Sequence, residues 1–278
     1  MKNSHHFLNS FHLKIIGLIS MIFDHIIVVF EMVDKIDLVP LFSINLIVIF
    51  RIIGRFSFII FSFLTVEGIL KSSNKIKYIL RLAILAISMD LLLFILSGNY
   101  FGNPITTLCL GALTIYFLED KKIWKKFLSL IPITYILLIS LEIIPLYADY
   151  DLYGLSTIMI FYIGYLLSNI ISSFIIKSYQ LDEETFENSS YKLTLRNTIS
   201  SILFLSFSMI IYFINPIWNN KGLFTEMNSI QVYAIFSLIP ILLYNGQRGY
   251  NKKWFKYGSY IFFPLHLIII YLFTLFVV

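Results

Sequence analysis

An aspartate and a histidine stand side by side, Asp24 and His25, inside the apolar run 11–30. An ionisable residue deep in such a run costs several kcal/mol unless it is paired or faces water, so each one is a candidate for function. His25 has the chemistry of a general base, because a neutral imidazole accepts a proton near neutral pH. Asp24 is the obvious orienter by type. Consecutive side chains on a helix diverge by about 100°, however, so Asp24 reaches a partner other than its neighbour's ring. The simpler reading of Asp24 is a structural ion pair with an arginine of the next apolar run. Lys14, Gly17 and Met21 lie on the same side of the helix at three- and four-residue spacing and lead back toward its start.

Three further groups carry charge where apolar residues dominate. Arg51 and Arg55 share one helical face, which Ser62 continues, and two arginines so close call for an anion such as Asp24, a lipid phosphate or a substrate. Snorkelling to the interface would explain them equally well. Glu67, Lys71, Lys75, Lys77 and Arg81 gather at the junction of the second and third runs and would draw a phosphorylated ligand. Plain charge asymmetry of a membrane protein, with one Glu67–Arg81 pair, is the alternative. His266 follows Pro264 by two residues, and a mid-helix proline frees a backbone carbonyl, as happens beside cavities. Here the plain reading is a histidine bonded to a neighbouring helix. Asn103, Thr106 and Thr107 open the fourth run and would line the outer side of the same cavity.

No HExxH, no His pair at i,i+4 spacing, no Walker loop, no GxGxxG and no GxSxG occurs, so no metal is expected. The single cysteine, Cys109, excludes an internal disulfide framework and reads as a small packing residue. His5 and His6 sit in a polar tail and carry no signal.

The elements that must position these residues are transmembrane helices. Of 278 residues, 58% are hydrophobic and only 13% charged, against about 25% charged in soluble domains; the mean hydropathy is +0.84. A crossing helix needs roughly 20 apolar residues. The chain offers about nine runs: 11–30, 43–70, 76–97, 104–119, 127–145, 152–176, 197–214, 230–245 and 257–278. The second is over-long, so its first part, from Leu41 to Phe50, is a candidate for the interface. Basic residues fill alternate loops: Lys71, Lys75 and Lys77; then Lys121, Lys122, Lys125 and Lys126; then Lys177, Lys192 and Arg196; then Arg248, Lys252, Lys253 and Lys256. The loops between hold Glu31, Asp34 and Asp37, or Asp149 and Asp151. The expected architecture is an all-α polytopic membrane protein of about nine transmembrane helices, with a cytoplasmic N-terminus and an external C-terminus. Residues 1–278 form a single domain. Trp124, Trp218 and Trp254 fall near run ends, as interface anchors do. The net charge of +5 is explained by these loops, and no nucleic-acid partner is expected. The apolar run from Phe11 is too long for a cleavable signal. The glycines make no clear GxxxG face, which leaves the oligomeric state open.

The order of short motifs resembles the TraX family of bacterial membrane acetylases, within the wider group of transmembrane acyltransferases. The stretches that carry the resemblance are Lys14-x6-Met21-x2-Asp24-His25; Gly54-Arg55-x2-Phe58-x2-Phe61-x-Phe63-x3-Glu67-Gly68; and Tyr78-x2-Arg81-Leu82. Asn103-x3-Thr107-Leu108-x2-Gly111, Tyr153-Gly154, Tyr244-Asn245-Gly246-x-Arg248-Gly249 and Tyr260-x-Phe262-x-Pro264-x-His266-Leu267 follow. They reach from near residue 14 to near residue 267. Ile59 stands where the family pattern has proline, which implies a straighter second helix here.

The resemblance implies a multi-pass protein of the bacterial inner membrane. It would take an acetyl group from cytosolic acetyl-CoA to an external acceptor: a peptide N-terminus, the acceptor of the family's founding member, or a sugar or lipid headgroup. Its partners are then the acyl-CoA donor, that acceptor and membrane lipids. On this basis His25, Asp24 and His266 are the catalytic candidates. Arg55, Arg81, Lys71, Lys75, Lys77, Glu67 and Asn103 are the donor-binding candidates. Direct transfer and an acyl-histidine route both remain open. A transporter or flippase for an amphiphile is the competing reading, with Asp24, Arg51 and Arg55 lining its path. It is disfavoured by the lack of internal repeats. A non-catalytic assembly subunit would not require titratable groups in three runs.

Overall fold

A computed structural model of the protein describes residues 6–33, 35–36, 43–98, 102–144, 148–214 and 230–276. Of the residues used above, His5, Asp34, Asp37, Leu41 and Trp218 lie outside them. The regular elements of the described residues are all helical, in the order α1 (Ser10–Met32), α2 (Ile44–Lys71), α3 (Lys75–Ser97), α4 (Pro104–Leu118), α5 (Ile123–Phe127), α6 (Leu130–Ser140), α7 (Asp151–Tyr179), α8 (Glu183–Glu187), α9 (Ser190–Ile214), a 3-10 segment (Gln231–Ser237), α10 (Leu238–Leu242) and α11 (Lys253–Thr274). The chain is an all-α, multi-pass membrane protein.

Each of the nine apolar runs forms helix, but among the described residues seven helical stretches are long and apolar enough to cross a bilayer. Two are too short. Helix α4 has 15 residues, about 22 Å at 1.5 Å per residue, against a hydrocarbon core of about 30 Å. It cannot start earlier, because Asn103 caps it and Pro104 occupies its first turn. The run 230–245 folds as the 3-10 segment and α10, which ends at Leu242, after which the chain turns through Gly246 with a φ of 74°. Such a turn suits glycine. The fifth run lies mainly in α6, with the short helix α5 just before it. Pro132 has no N–H for the carbonyl of Leu128, which instead accepts from Ile131 at 3.1 Å.

Helix α2 is the axis of the molecule. It packs against α1, α3, α4, α7 and the 3-10 segment, and its stretch from Ser57 to Ile69 is almost wholly buried. It runs unbroken through the fully buried Ile59. One apolar cluster joins α2 to α7, α9 and α10; a second joins α1, α3, α4 and α11.

The start of α1 is tied down by backbone pairing with the turn after α10. Leu8 donates to the Leu243 carbonyl (3.1 Å), Asn245 to Leu8 (2.7 Å), and Ser10 to Gln247 (2.8 Å). Asn9 then caps the helix, accepting from the N–H groups of Phe11 and His12. The beginnings of α1, α3 and α11 and the end of α2 therefore share one end of the bundle. At the opposite end, Lys35, just past α1, donates to the Thr274 carbonyl at the close of α11 (2.8 Å).

Candidate functional site

Helices α1 and α11 bring two histidines together. His25 Nδ1 lies 2.5 Å from His266 Nε2, with the rings nearly parallel, at 11°. His266 is buried and its Nδ1 lies 2.8 Å from the Phe262 carbonyl one turn back. A carbonyl only accepts, so His266 Nδ1 carries a hydrogen. In the neutral ring Nε2 is then an acceptor, and it takes the hydrogen on His25 Nδ1. That leaves His25 Nε2 with a lone pair, and among the described residues nothing engages it. The Phe262 ring stacks on His266 at 5.2 Å and holds its plane. The pair thus fixes one tautomer of His25, the one that can accept a proton. His25 lines a small chamber of about 40 Å³ together with Asp24, Ser57, Phe58, Asp149 and Tyr150.

Asp24 faces away from the His25 ring and toward α2. Its carboxylate accepts from Arg55 at 2.9 Å and from Arg51 at 3.3 Å. Arg51 also pairs with Glu31. Arg55 reaches on to the Tyr150 hydroxyl (3.3 Å) and to Gln231 Oε1 (3.4 Å), so α1, α2, α7 and the 3-10 segment meet at one guanidinium. The approach of α1 to α2 depends on Gly54, because a Cβ there would fall inside the Asp24 side chain.

A second, larger cavity of about 420 Å³ opens at the end of the bundle shared by the starts of α1, α3 and α11. Six basic side chains line it: Lys14, Lys71, Lys77, Arg81, Arg248 and Lys256. Glu67 is its one acidic residue among the described ones, and that charge is already taken by Lys71 (2.5 Å) and Arg196 (2.6 Å). The cavity is therefore strongly cationic and attracts anions. Arg81 lies over the Tyr78 ring, 5.9 Å from its centre, and its buried Nε has no hydrogen-bond partner among the described residues. That nitrogen is left free to donate to an anion entering the cavity.

Several residues sit elsewhere than their sequence positions suggest. Glu67 pairs with Lys71 and Arg196, not with Arg81, because Arg196 enters from α9 and buries beside it, and the Tyr244 hydroxyl adds a third contact at 3.2 Å. Lys75 stands in the first turn of α3 but outside the cavity that Lys77 and Arg81 line. Asn103 lines neither cavity: its amide donates to Asp90 (2.6 Å) and to the Ala86 carbonyl (3.1 Å) while its oxygen caps α4. Arg55 belongs to the Asp24 cluster and not to the basic cavity. Thr107 donates to the Asp149 carbonyl (2.6 Å). Conversely, Lys14, Arg248 and Lys256 join the cavity although the charge pattern alone reads the last two as loop residues. Their signal was proximity to Tyr244-Asn245-Gly246, which Leu8 and Ser10 tether to the start of α1.

Among known families, a model described as TraX protein matches residues 10–179, more than half of the chain. The matched stretch holds Asp24, His25, Arg55, Glu67 and Arg81 and ends before Tyr244 and His266. No curated protein and no solved structure matches the chain.

Proposed function

The chain belongs to the TraX family, and from that premise we propose that it is an integral-membrane acyltransferase that moves an acetyl group from acetyl-CoA to an amine or hydroxyl of an acceptor on the other side of the membrane. The observation that carries this function is the alignment of two cavities. The cationic one suits the phosphates of a CoA donor. The small one holds a histidine whose tautomer is fixed for proton acceptance. By the alternation of basic loops, the cationic cavity opens to the cytosol of a bacterial cell and the small chamber lies toward the outside.

The residues divide the work as follows. Arg81 and the surrounding lysines hold the donor phosphates, Arg81 by paired hydrogen bonds and the lysines as point charges. The pantetheine arm points down the cavity and presents its thioester to the chamber. His25 Nε2 takes a proton from the acceptor amine or hydroxyl as the acceptor's nitrogen or oxygen attacks the thioester carbonyl. The carbon–sulfur bond breaks, and the proton returns from His25 to the departing CoA thiolate. The acceptor leaves acetylated and CoA leaves as the thiol. His266 touches no reactant. It holds His25 in the right tautomer and shares the positive charge that His25 carries between the two transfers. Asp24 and Arg55 fix α1 against α2, which sets where His25 stands.

The test uses the purified full chain in detergent with radiolabelled acetyl-CoA and a mixture of peptides, sugars and lipid extract. Label should pass to an acceptor, and the transfer should vanish in His25→Ala. CoA alone should raise the unfolding temperature of both proteins. If CoA does not stabilise the folded protein and no label moves, the proposal is wrong. Sidedness is checked separately: Lys75→Cys should react with an impermeant maleimide only in inverted vesicles.

A further inference from the structure

The two cavities share four side chains, Phe61, Ile105, Leu108 and Phe263. These residues are the partition between the cationic cavity and the His25 chamber. Phe61 comes from α2 and Phe263 from α11, and their rings meet edge to face with centres 5.5 Å apart. Ile105 and Leu108, both buried on α4, complete the ring. No side chain of the partition carries a polar atom. A charged group passing it would lose its hydration without gaining a partner, which costs several kcal/mol or more. A neutral thioester would not bear that cost.

Beyond the partition the space is small and its far wall is stiff. The chamber of about 40 Å³ has room for about three water-sized groups. Its back is the Phe58 ring stacked on the Tyr150 ring, 4.0 Å between centres and 7° between planes, both buried. The side of the Phe61 ring is set by Gly17, where an added Cβ would lie 2.9 Å from the ring edge. The ring therefore rests directly against the α1 backbone.

Resting on the acyltransferase reading, we propose that Phe61 and Phe263 select the acyl group: they admit a short uncharged acyl thioester to His25, and they exclude longer chains and acyl groups bearing a carboxylate. The chamber accepts an acetyl group with little space left over. Each added methylene crowds the chamber lining, of which the Phe58–Tyr150 wall and the Phe61–Phe263 pair are the aromatic part. A tight apolar pocket discriminates by roughly 10- to 200-fold per misfitting methylene.

The test is a binding series that needs no acceptor. Free CoA, acetyl-CoA, butyryl-CoA and succinyl-CoA are titrated against the full chain in detergent, and affinity is read from the rise in unfolding temperature. In the wild type, butyryl-CoA and succinyl-CoA should each bind at least about tenfold more weakly than acetyl-CoA. In Phe263→Ala, butyryl-CoA should gain at least tenfold on acetyl-CoA, while free CoA keeps its wild-type affinity. Phe263→Leu opens the partition less, retains an apolar packing residue, and should give a smaller gain in the same direction. Equal wild-type affinity for acetyl-CoA and butyryl-CoA overturns the selector and leaves the acyltransferase proposal standing. An unchanged butyryl-to-acetyl ratio in folded Phe263→Leu overturns it as well. Absence of stabilisation by every ligand, free CoA included, overturns the acyltransferase proposal itself.

Discussion

His25 Nδ1 and His266 Nε2 lie 2.5 Å apart and join the first described helix of the chain to the last. Because His266 Nδ1 is committed to the Phe262 carbonyl at 2.8 Å, this contact has one direction: the hydrogen belongs to His25. The two histidines are thus not equivalent, and their substitutions should separate.

His25→Ala should lower turnover by about 10²- to 10⁴-fold, the span of a lost general base, with CoA stabilisation unchanged. His266→Leu should lower kcat by less, since His25 remains but populates both tautomers. His266→Gln, whose amide oxygen can accept from His25 Nδ1, should recover part of that loss. Near-normal turnover in His25→Ala together with a dead His266→Ala would reverse the two roles.

The Asp24–Arg55 pair predicts a loss of stability, not of chemistry. Asp24 is only 16% exposed and Arg55 15%, and the Arg55 guanidinium donates to the Asp24 carboxylate at 2.9 Å. Asp24→Ala strands that charge and should cost about 3 kcal/mol, read as a lower unfolding temperature and less folded protein. Asp24→Leu combined with Arg55→Leu should be more stable than either single variant. Arg51→Ala should matter far less, because its second partner, Glu31, is 43% exposed. If Asp24→Ala unfolds at the wild-type temperature, the pair is not what fixes α1 on α2.

Depth along two antiparallel helices is enough to set Asp24 beside Arg55, because rise per residue is constant and charges buried at one depth must find each other. Membrane class and the places of the apolar runs were equally legible, since hydropathy reports burial in lipid directly. Which runs are long enough to cross was less so. Asn103-Pro104 shortens α4 from its start, and the run 230–245 spends part of its length as 3-10 helix, a difference of backbone geometry that hydropathy does not register.

Pairings across the bundle were the hardest to read. Glu67 and Arg81 are close along the chain, yet Glu67 is claimed by Arg196, which lies 129 positions later and on another helix. Lys75 and Lys77 differ by two positions and so point about 200° apart, which puts only Lys77 on the cavity. His25 and His266 meet because α1 and α11 start at the same end and pack side by side. Nothing in either local sequence states that.

The basic cavity separates donor contacts from general charge. Arg81 lines it with a buried Nε that has no hydrogen-bond partner among the described residues, whereas Lys75 lies outside. Arg81→Ala should weaken CoA binding by about 10- to 100-fold, the loss of a charge-assisted contact worth roughly 1.5–3 kcal/mol. Lys75→Ala should leave affinity within about twofold, because Lys75 does not line the cavity. Isothermal titration or thermal shift with CoA distinguishes them, and equal losses in the two variants would mean that the cavity acts only through its overall field.

Glu67 gives the sharpest contrast between holding the fold and holding the donor. It lines the cationic cavity, but its oxygens are occupied by Lys71, Arg196 and Tyr244, and Arg196 is itself buried. Glu67→Gln removes the carboxylate paired with Arg196 at 2.6 Å and should destabilise the protein by about 3 kcal/mol. The same change makes the cavity more positive and releases Lys71 toward it, so CoA affinity in the folded fraction should hold or rise. Stability and affinity therefore move in opposite directions in this variant, whereas Arg81→Ala lowers affinity with little effect on stability. Paired measurements of unfolding temperature and CoA affinity decide the matter: a Glu67→Gln protein that is as stable as wild type but binds CoA tenfold more weakly would make Glu67 a donor ligand and undo its place in the Arg196 network.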